Sequence, residues 1–282
     1  MTSKVWFITG AARGFGRVWA EAALDRGDKV VATARKTNAL NGLVERHGDR
    51  VLPLVLDVTD VQQVRDAVAQ AHRHFGQLDV VLNNAGYALV GAIEEARPED
   101  VKAEFETNFF GALRVIQAAL PILRNQKSGH ILGVSSVAGI VAGAMTGFYN
   151  ASKWALEALH DSLAQEVAAF GIKVTLIEPG AYATDFSSPM SLQISEELED
   201  YTALRQQIFA QSAHIDFGEP QATAQAVLQI VDAAQPPLRF FLGTEGMSRA
   251  RAAYAARLAE WEQWEIVSNA AQGASTRQTI KA

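Results

Sequence analysis

The chain has 282 residues, 49% hydrophobic and 20% charged, an ordinary globular composition with enough apolar side chains for one large core. A formal net charge of -6 with no lysine and arginine cluster excludes an electrostatic footprint for nucleic acid. The lack of cysteine excludes disulfides, zinc thiolate sites and thiol nucleophiles.

The chain enters an apolar strand within its first few residues, at 5–9, with no charged-then-apolar leader, and no apolar run approaches ~18 residues. A soluble cytoplasmic protein is expected. That strand runs into Gly10, Gly14 and Gly16, and residues 19–26 behind them have a helical pattern. Glycines in this strand-turn-helix setting permit a tight turn and close approach of a pyrophosphate, which the helix N-terminus attracts. The spacing G-x-x-x-G-x-G departs from the common G-x-G-x-x-G fingerprint, and read alone it is only a turn. A second strand, 30–33, ends in Arg35 and Lys36, where an NAD site would carry an acid for the ribose hydroxyl. Arg35, with Arg13 in the glycine loop, therefore favours NADP(H), whose 2′-phosphate pairs with cations.

Further apolar runs at 51–56, 80–82, 131–134 and 174–177 suit strands buried on both faces. Between them, Val61, Val64, Val68 and Ala71 repeat with helical period behind Thr59 and Gln62, a capping-box pattern. Pro98 occupies a first helical turn ahead of Val101 and Phe105. Strict alternation of strand and helix predicts a Rossmann-type, doubly wound parallel α/β sheet of about seven strands with helices on both faces. The alternation lapses over about 184–218, where Phe186, Met190, Leu192, Ile194 and Phe209 mix with acids, and short helices outside the sheet are expected as a substrate loop. A last strand at 238–242 precedes a helix at about 248–269, whose Tyr254, Leu258 and Trp261 share a face expected to pack on the body or on a partner subunit. One domain over 1–270 and a polar, disordered tail at 271–282 complete the expectation.

Tyr149 and Lys153 lie four apart, which on a helix sets phenol and ammonium on one face, about 6 Å apart at Cβ. Lowering a phenol from its ordinary pKa near 10 to neutrality requires about 4 kcal/mol, nearly what one partly buried charge at about 4 Å supplies. Read alone, the pair is more often a solvated helix face.

Together these residues resemble the short-chain dehydrogenases/reductases of the classical type. The resemblance spans Thr9, Gly10, Gly14 and Gly16, then Asp57, the run Asn83, Asn84, Ala85 and Gly86, and Asn108. It continues through Ser135 and Ser136, Tyr149 and Lys153, and Pro179, Gly180 and Thr184. Each element falls past a strand end or on the following helix, where open α/β sheets bind ligands. The resemblance implies that Tyr149 is the catalytic acid or base, that Lys153 lowers its pKa and holds the nicotinamide ribose, and that Ser136, with Ser135 as fallback, orients the substrate oxygen. It implies that Asn108 holds a water linking Lys153 to solvent; the competing reading is a buried amide capping backbone. Cofactor contacts are implied for Gly10, Arg13, Gly14, Phe15 and Gly16, for Arg35, Asp57 and Val58, and for Asn84, Ala85 and Gly86. Pro179, Gly180, Tyr182 and Thr184 complete them with Tyr149 and Lys153.

The implied reaction is hydride transfer between nicotinamide and a carbonyl or secondary alcohol. Tyr87, Val137, Gly139, Ala144, Tyr182 and the apolar insertion are expected around a hydrophobic ketone or alcohol, of carbonyl, steroid or retinoid type. A 3-oxoacyl reductase and a non-catalytic NADP(H)-binding sensor or scaffold are the alternatives. No metal is called for, since the six histidines show no coherent spacing. A homodimer or homotetramer is implied; Ala151, Ala155 and Ala158 permit close helix approach between subunits or equally within one, and the C-terminal helix is placed where it could obstruct a second interface.

Overall fold

A computed structural model describes residues 3–188, 191–212 and 215–274. Met190, His214 and the end of the tail lie outside them. In chain order the strands are β1 (Val5–Ile8), β2 (Lys29–Ala34), β3 (Val51–Val55), β4 (Val80–Asn83), β5 (Ala88–Val90), β6 (Gly129–Val134), β7 (Ile172–Pro179), β8 (Leu192–Ile194) and β9 (Arg239–Leu242). The helices are α1 (Gly14–Asp25), α2 (Asn41–His47), α3 (Val61–Phe75), α4 (Pro98–Phe105), α5 (Ala112–Gln126), α6 (Gly147–Val167), α7 (Thr202–Ser212), α8 (Thr223–Asp232) and α9 (Glu245–Ala270).

Seven strands form one parallel sheet in the order β3-β2-β1-β4-β6-β7-β9, as the apolar runs predict. Side chains alternate across a strand, so Trp6 and Ile8 of β1 enter one core while Val5 and Phe7 enter the other. The first core is closed by Ala20 and Leu24 of α1 and Val227 and Ile230 of α8. The second is closed by Val64 and Val68 of α3, Val115 and Ile116 of α5, and Leu163 of α6. Each fully buried Trp, Phe or Leu contributes about 1.5–3 kcal/mol, and the strand ends are rigid because both faces are covered.

Local expectations are partly corrected. The N-cap of α3 is Asp60, whose carboxylate accepts from the amides of Gln62 and Gln63, rather than Thr59. The insertion contributes a strand as well as short helices: β8 pairs in parallel with β5, Ala88 opposite Leu192. Helix α9 forms, but Tyr254, Leu258 and Trp261 remain 46%, 52% and 61% exposed, so that face does not pack on the body. Its link to α6 is Arg257, stacked 5.0 Å from the Trp154 ring. No helix among the described residues is long and apolar enough to cross a membrane.

Candidate active site

The strand order reverses at β1, between β2 and β4, so helices leave in opposite directions and a crevice opens past the strand ends. The ends of β1 and β4 are cross-linked there. Thr9 Oγ1 accepts from the amides of Asn84 (2.9 Å) and Ala85 (3.0 Å), and Asn84 Nδ2 donates to the carbonyls of Thr9 (2.9 Å) and Gly10 (3.1 Å). This leaves no room for side chains in the glycine loop. A Cβ on Gly16 would meet Asn84 Nδ2 and Gly10 O at 2.5 Å each, and Gly10 has a φ of +68° that disfavours any other residue. Helix α1 starts at Gly14 with no side-chain cap, so its first-turn amides face the crevice as an anion site.

The crevice is a cavity of about 1520 Å³, larger than a typical small-ligand pocket of about 300–1000 Å³. It runs from Arg35 and Asp57 at the ends of β2 and β3 to Ser136, Tyr149 and Thr184. Every site residue expected from the sequence lines it except Gly16, packed behind the loop, and Asn108, buried behind Tyr87. Among the described residues its lining omits Val137, Gly139 and Ala144: Val137 and Gly139 are buried away from it and Ala144 faces solvent. Leu192 lines it, as expected of the apolar insertion, and so do Gln193 and Phe217, which sequence reading did not name. A pocket with a close-packed glycine cradle, uncapped helix amides and a cation at the end of β2 fits a dinucleotide.

At the far end, α6 presents Tyr149 and Lys153 from one face. Tyr149 and Ser136 line this end together, and Ser136 Oγ accepts from Ala138 N at 3.1 Å and donates to Pro179 O at 3.5 Å. Ser135 also borders the cavity, but its buried Oγ lies against Gly139 on the side of Glu157. Lys153 Nζ donates to Val134 O at 2.8 Å and stands 5.7 Å from the Tyr149 ring centroid. Burial pushes Tyr149 up to about 12, against the lowering effect of the Ser136 hydroxyl. A phenol so raised holds its proton at neutral pH and is a donor. Burial also brings Lys153 down to about 8, opposed by the charges of Glu104 and Glu157.

Asn108 lies in a π-helical turn, Glu106–Gly111, between α4 and α5. Its Oδ1 accepts from Tyr87 N at 3.0 Å, and Nδ2 donates to Tyr87 O at 2.8 Å and Ser152 Oγ at 3.0 Å. The amide thus ties α6 and the backbone of Tyr87 to the π-helical turn. One turn earlier is Glu104, which sequence reading missed although the i,i+4 relation to Asn108 put it on the same face. It is fully buried, accepts from Leu89 N at 2.9 Å through Oε1, and burial raises it to about 7.

Arg13 lines the cavity, and its Nη2 donates to Ser191 Oγ at 2.7 Å, tying the glycine loop to the insertion. Phe15 stacks on Trp19 at 4.9 Å and meets Tyr182 edge-on at 5.2 Å. Phe186 stands 5.7 Å from Tyr149 and gives the site an aromatic cover.

A family model described as short chain dehydrogenase matches residues 4–195. The oxidoreductase BOA17 of Botryotinia fuckeliana is 44% identical, covering 94% of this chain and 98% of its own. The 3-ketodihydrosphingosine reductase of Bacteroides thetaiotaomicron is 35% identical over 86% of this chain and 89% of its own. Among solved structures, a short-chain dehydrogenase from Streptomyces avermitilis has a TM-score of 0.88 and 38% identity, over 96% of this chain and 98% of that one. A short chain dehydrogenase from Burkholderia cenocepacia in complex with NADP has a TM-score of 0.75 and 27% identity, over 93% and 97%.

Proposed function

The chain belongs to the short-chain dehydrogenase family and is an NAD(P)-dependent oxidoreductase, and from that premise we propose that it is an NADP(H)-preferring reductase of hydrophobic ketones. The observation that carries this reading is that Ser136, Tyr149 and Lys153 line one end of a dinucleotide-sized cavity, under Phe186, Leu192 and Phe217. Such an apolar wall suits a substrate whose only polar group is the reacting oxygen. The relative named for 3-ketodihydrosphingosine supports a ketone with an aliphatic body. Arg35 at the cavity edge, and the NADP complex of a similar structure, support the phosphorylated cofactor.

A bound nicotinamide supplies the hydride for the carbonyl carbon. The residues of this chain do the rest. Ser136 Oγ and Tyr149 Oη donate hydrogen bonds to the carbonyl oxygen, where negative charge develops. Tyr149, with its raised pKa, gives that oxygen its proton, completing the alcohol; the reverse sequence oxidises an alcohol. The Lys153 ammonium, anchored on Val134 O, supplies the positive charge that favours the phenolate left behind.

The test is NADPH consumption across ketones with aliphatic and cyclic bodies, comparing wild type with Tyr149→Phe. The variant is expected to bind NADPH normally and to lose about 10²–10⁴-fold in turnover, the range for one general acid. Binding without turnover by the wild type would leave a non-catalytic NADP(H) binder and overturn the reading.

A further inference from the structure

The substrate-side wall of the cavity is made by Ser191, Leu192 and Gln193, which enter β8. That strand belongs to a two-stranded parallel sheet with only three pairs, Ala88 to Val90 against Leu192 to Ile194. A two-stranded ribbon is marginal on its own, and parallel pairing is the weaker kind. Something else must hold its register.

The candidate is a carboxylate on the turn that follows β5. Glu95 has a side chain with 0% exposure, and both of its oxygens are used across the seam. On its own side, Oε2 accepts from Ala92 N at 2.7 Å. From the insertion, Oε1 accepts from Leu198 N at 2.9 Å, and Arg205 Nη1 of α7 donates to Oε1 and Oε2 at 2.9 and 3.0 Å. Arg205 closes the loop through Nη2 to Leu198 O at 2.8 Å. The ladder itself carries one bond at each end, Ala88 N to Ser191 O at 3.0 Å and Ser195 N to Val90 O at 2.9 Å. Burial works to raise this carboxyl, but the Leu198 and Ala92 amides and Arg205 outweigh it and hold it below the ordinary carboxylate range. The neighbouring bond from Tyr201 Oη to Glu94 is exposed and adds little.

We propose that Glu95, through Arg205 and Leu198, is the positioning residue that sets the substrate-facing wall, fixing residues 192–205 against residues 88–95 and thereby placing Leu192 and Gln193 in the cavity. The assignment rests on the ketone-reductase reading only for which ligand feels it. Glu95 touches no lining atom of the cofactor half, so its effect falls on substrate binding.

Arg205→Met and Arg205→Lys are compared with wild type by peptide-level hydrogen exchange of the protein without ligands, and by steady-state kinetics on the best ketone of the panel. Arg205 is partly exposed, so these variants keep the fold where Glu95→Gln risks it. The expected result for Met is faster exchange confined to 88–95 and 192–205. KM rises about tenfold, the scale of one charge-assisted bond. kcat and NADPH affinity stay within about twofold, and Lys recovers part of the loss. Unchanged exchange in both segments, or a loss that falls on kcat and NADPH affinity instead, overturns the proposal. If no ketone turns over, the exchange arm still judges the clamp, and the failure belongs to the reductase reading alone.

Discussion

The two halves of the cavity are built by different physics. The cofactor half is backbone pressed on backbone: a loop in which a Gly16 Cβ would lie 2.5 Å from its neighbours, pinned by Thr9 and Asn84 to two fully buried strands. The substrate half is three pairs of β-bridge partners held by side chains from a distance, Glu95 to Arg205 and Arg13 to Ser191. Steric exclusion leaves a mark on the residue that is excluded, so the first half is legible locally. A side-chain clamp leaves its mark on two residues far apart, and neither looks special alone.

The largest test of this contrast is Gly16→Ala. The new methyl must displace Asn84 or the Gly10 carbonyl, overpacking that costs about 1–3 kcal/mol. NADPH binding, read by fluorescence titration, is expected to weaken roughly tenfold to hundredfold, with the sheet intact by circular dichroism. Normal NADPH affinity in the variant would show that the cradle is not set by close packing.

What could be read ahead of the structure follows the same division. The seven strands, the glycine loop and the Tyr149 and Lys153 face came from periodicity and spacing, which act over a few residues. The β5 and β8 pairing did not, because two three-residue strands about a hundred positions apart carry no periodic signal. Glu95 sits in the run Glu94, Glu95, Ala96, Arg97, which reads as a solvated charge cluster until Arg205 is seen to meet it. Position was also more legible than protonation. Tyr149 stands where the pattern puts it, but its raised phenol depends on how completely α6, Phe186 and Ser136 enclose it.

Arg35 tests the open edge of the cofactor half. It is exposed at the end of β2, where charge rather than packing does the selecting. Arg35→Ala is expected to lower the NADPH to NADH preference about tenfold, as the ratio of kcat/KM values, and the effect should shrink in high salt. An unchanged ratio would remove Arg35 from cofactor choice and throw the task onto Arg13 or Lys36.

The finest test lies on the seam between the halves, at Glu104. Its Oε1 holds Leu89 N of β5, while its charge reaches Lys153. Burial raises this carboxyl to about 7 from an ordinary 4.5, so the folded chain keeps a proton that the unfolded chain releases. The stability linked to that proton is full below about 4.5 and is lost as the pH climbs through about 7. Glu104→Gln should therefore flatten the fall in Tm between pH 5 and pH 8, an effect on the order of 1–3 kcal/mol. Kinetically, removing the acid leaves Lys153, already down at about 8, with less to hold its proton. The alkaline limb of kcat/KM should move to lower pH, with activity at pH 8 falling roughly fivefold and little change at pH 6. A purely structural Glu104 would lower activity evenly at both pH values, because a displaced β5 has no reason to follow the titration of Lys153.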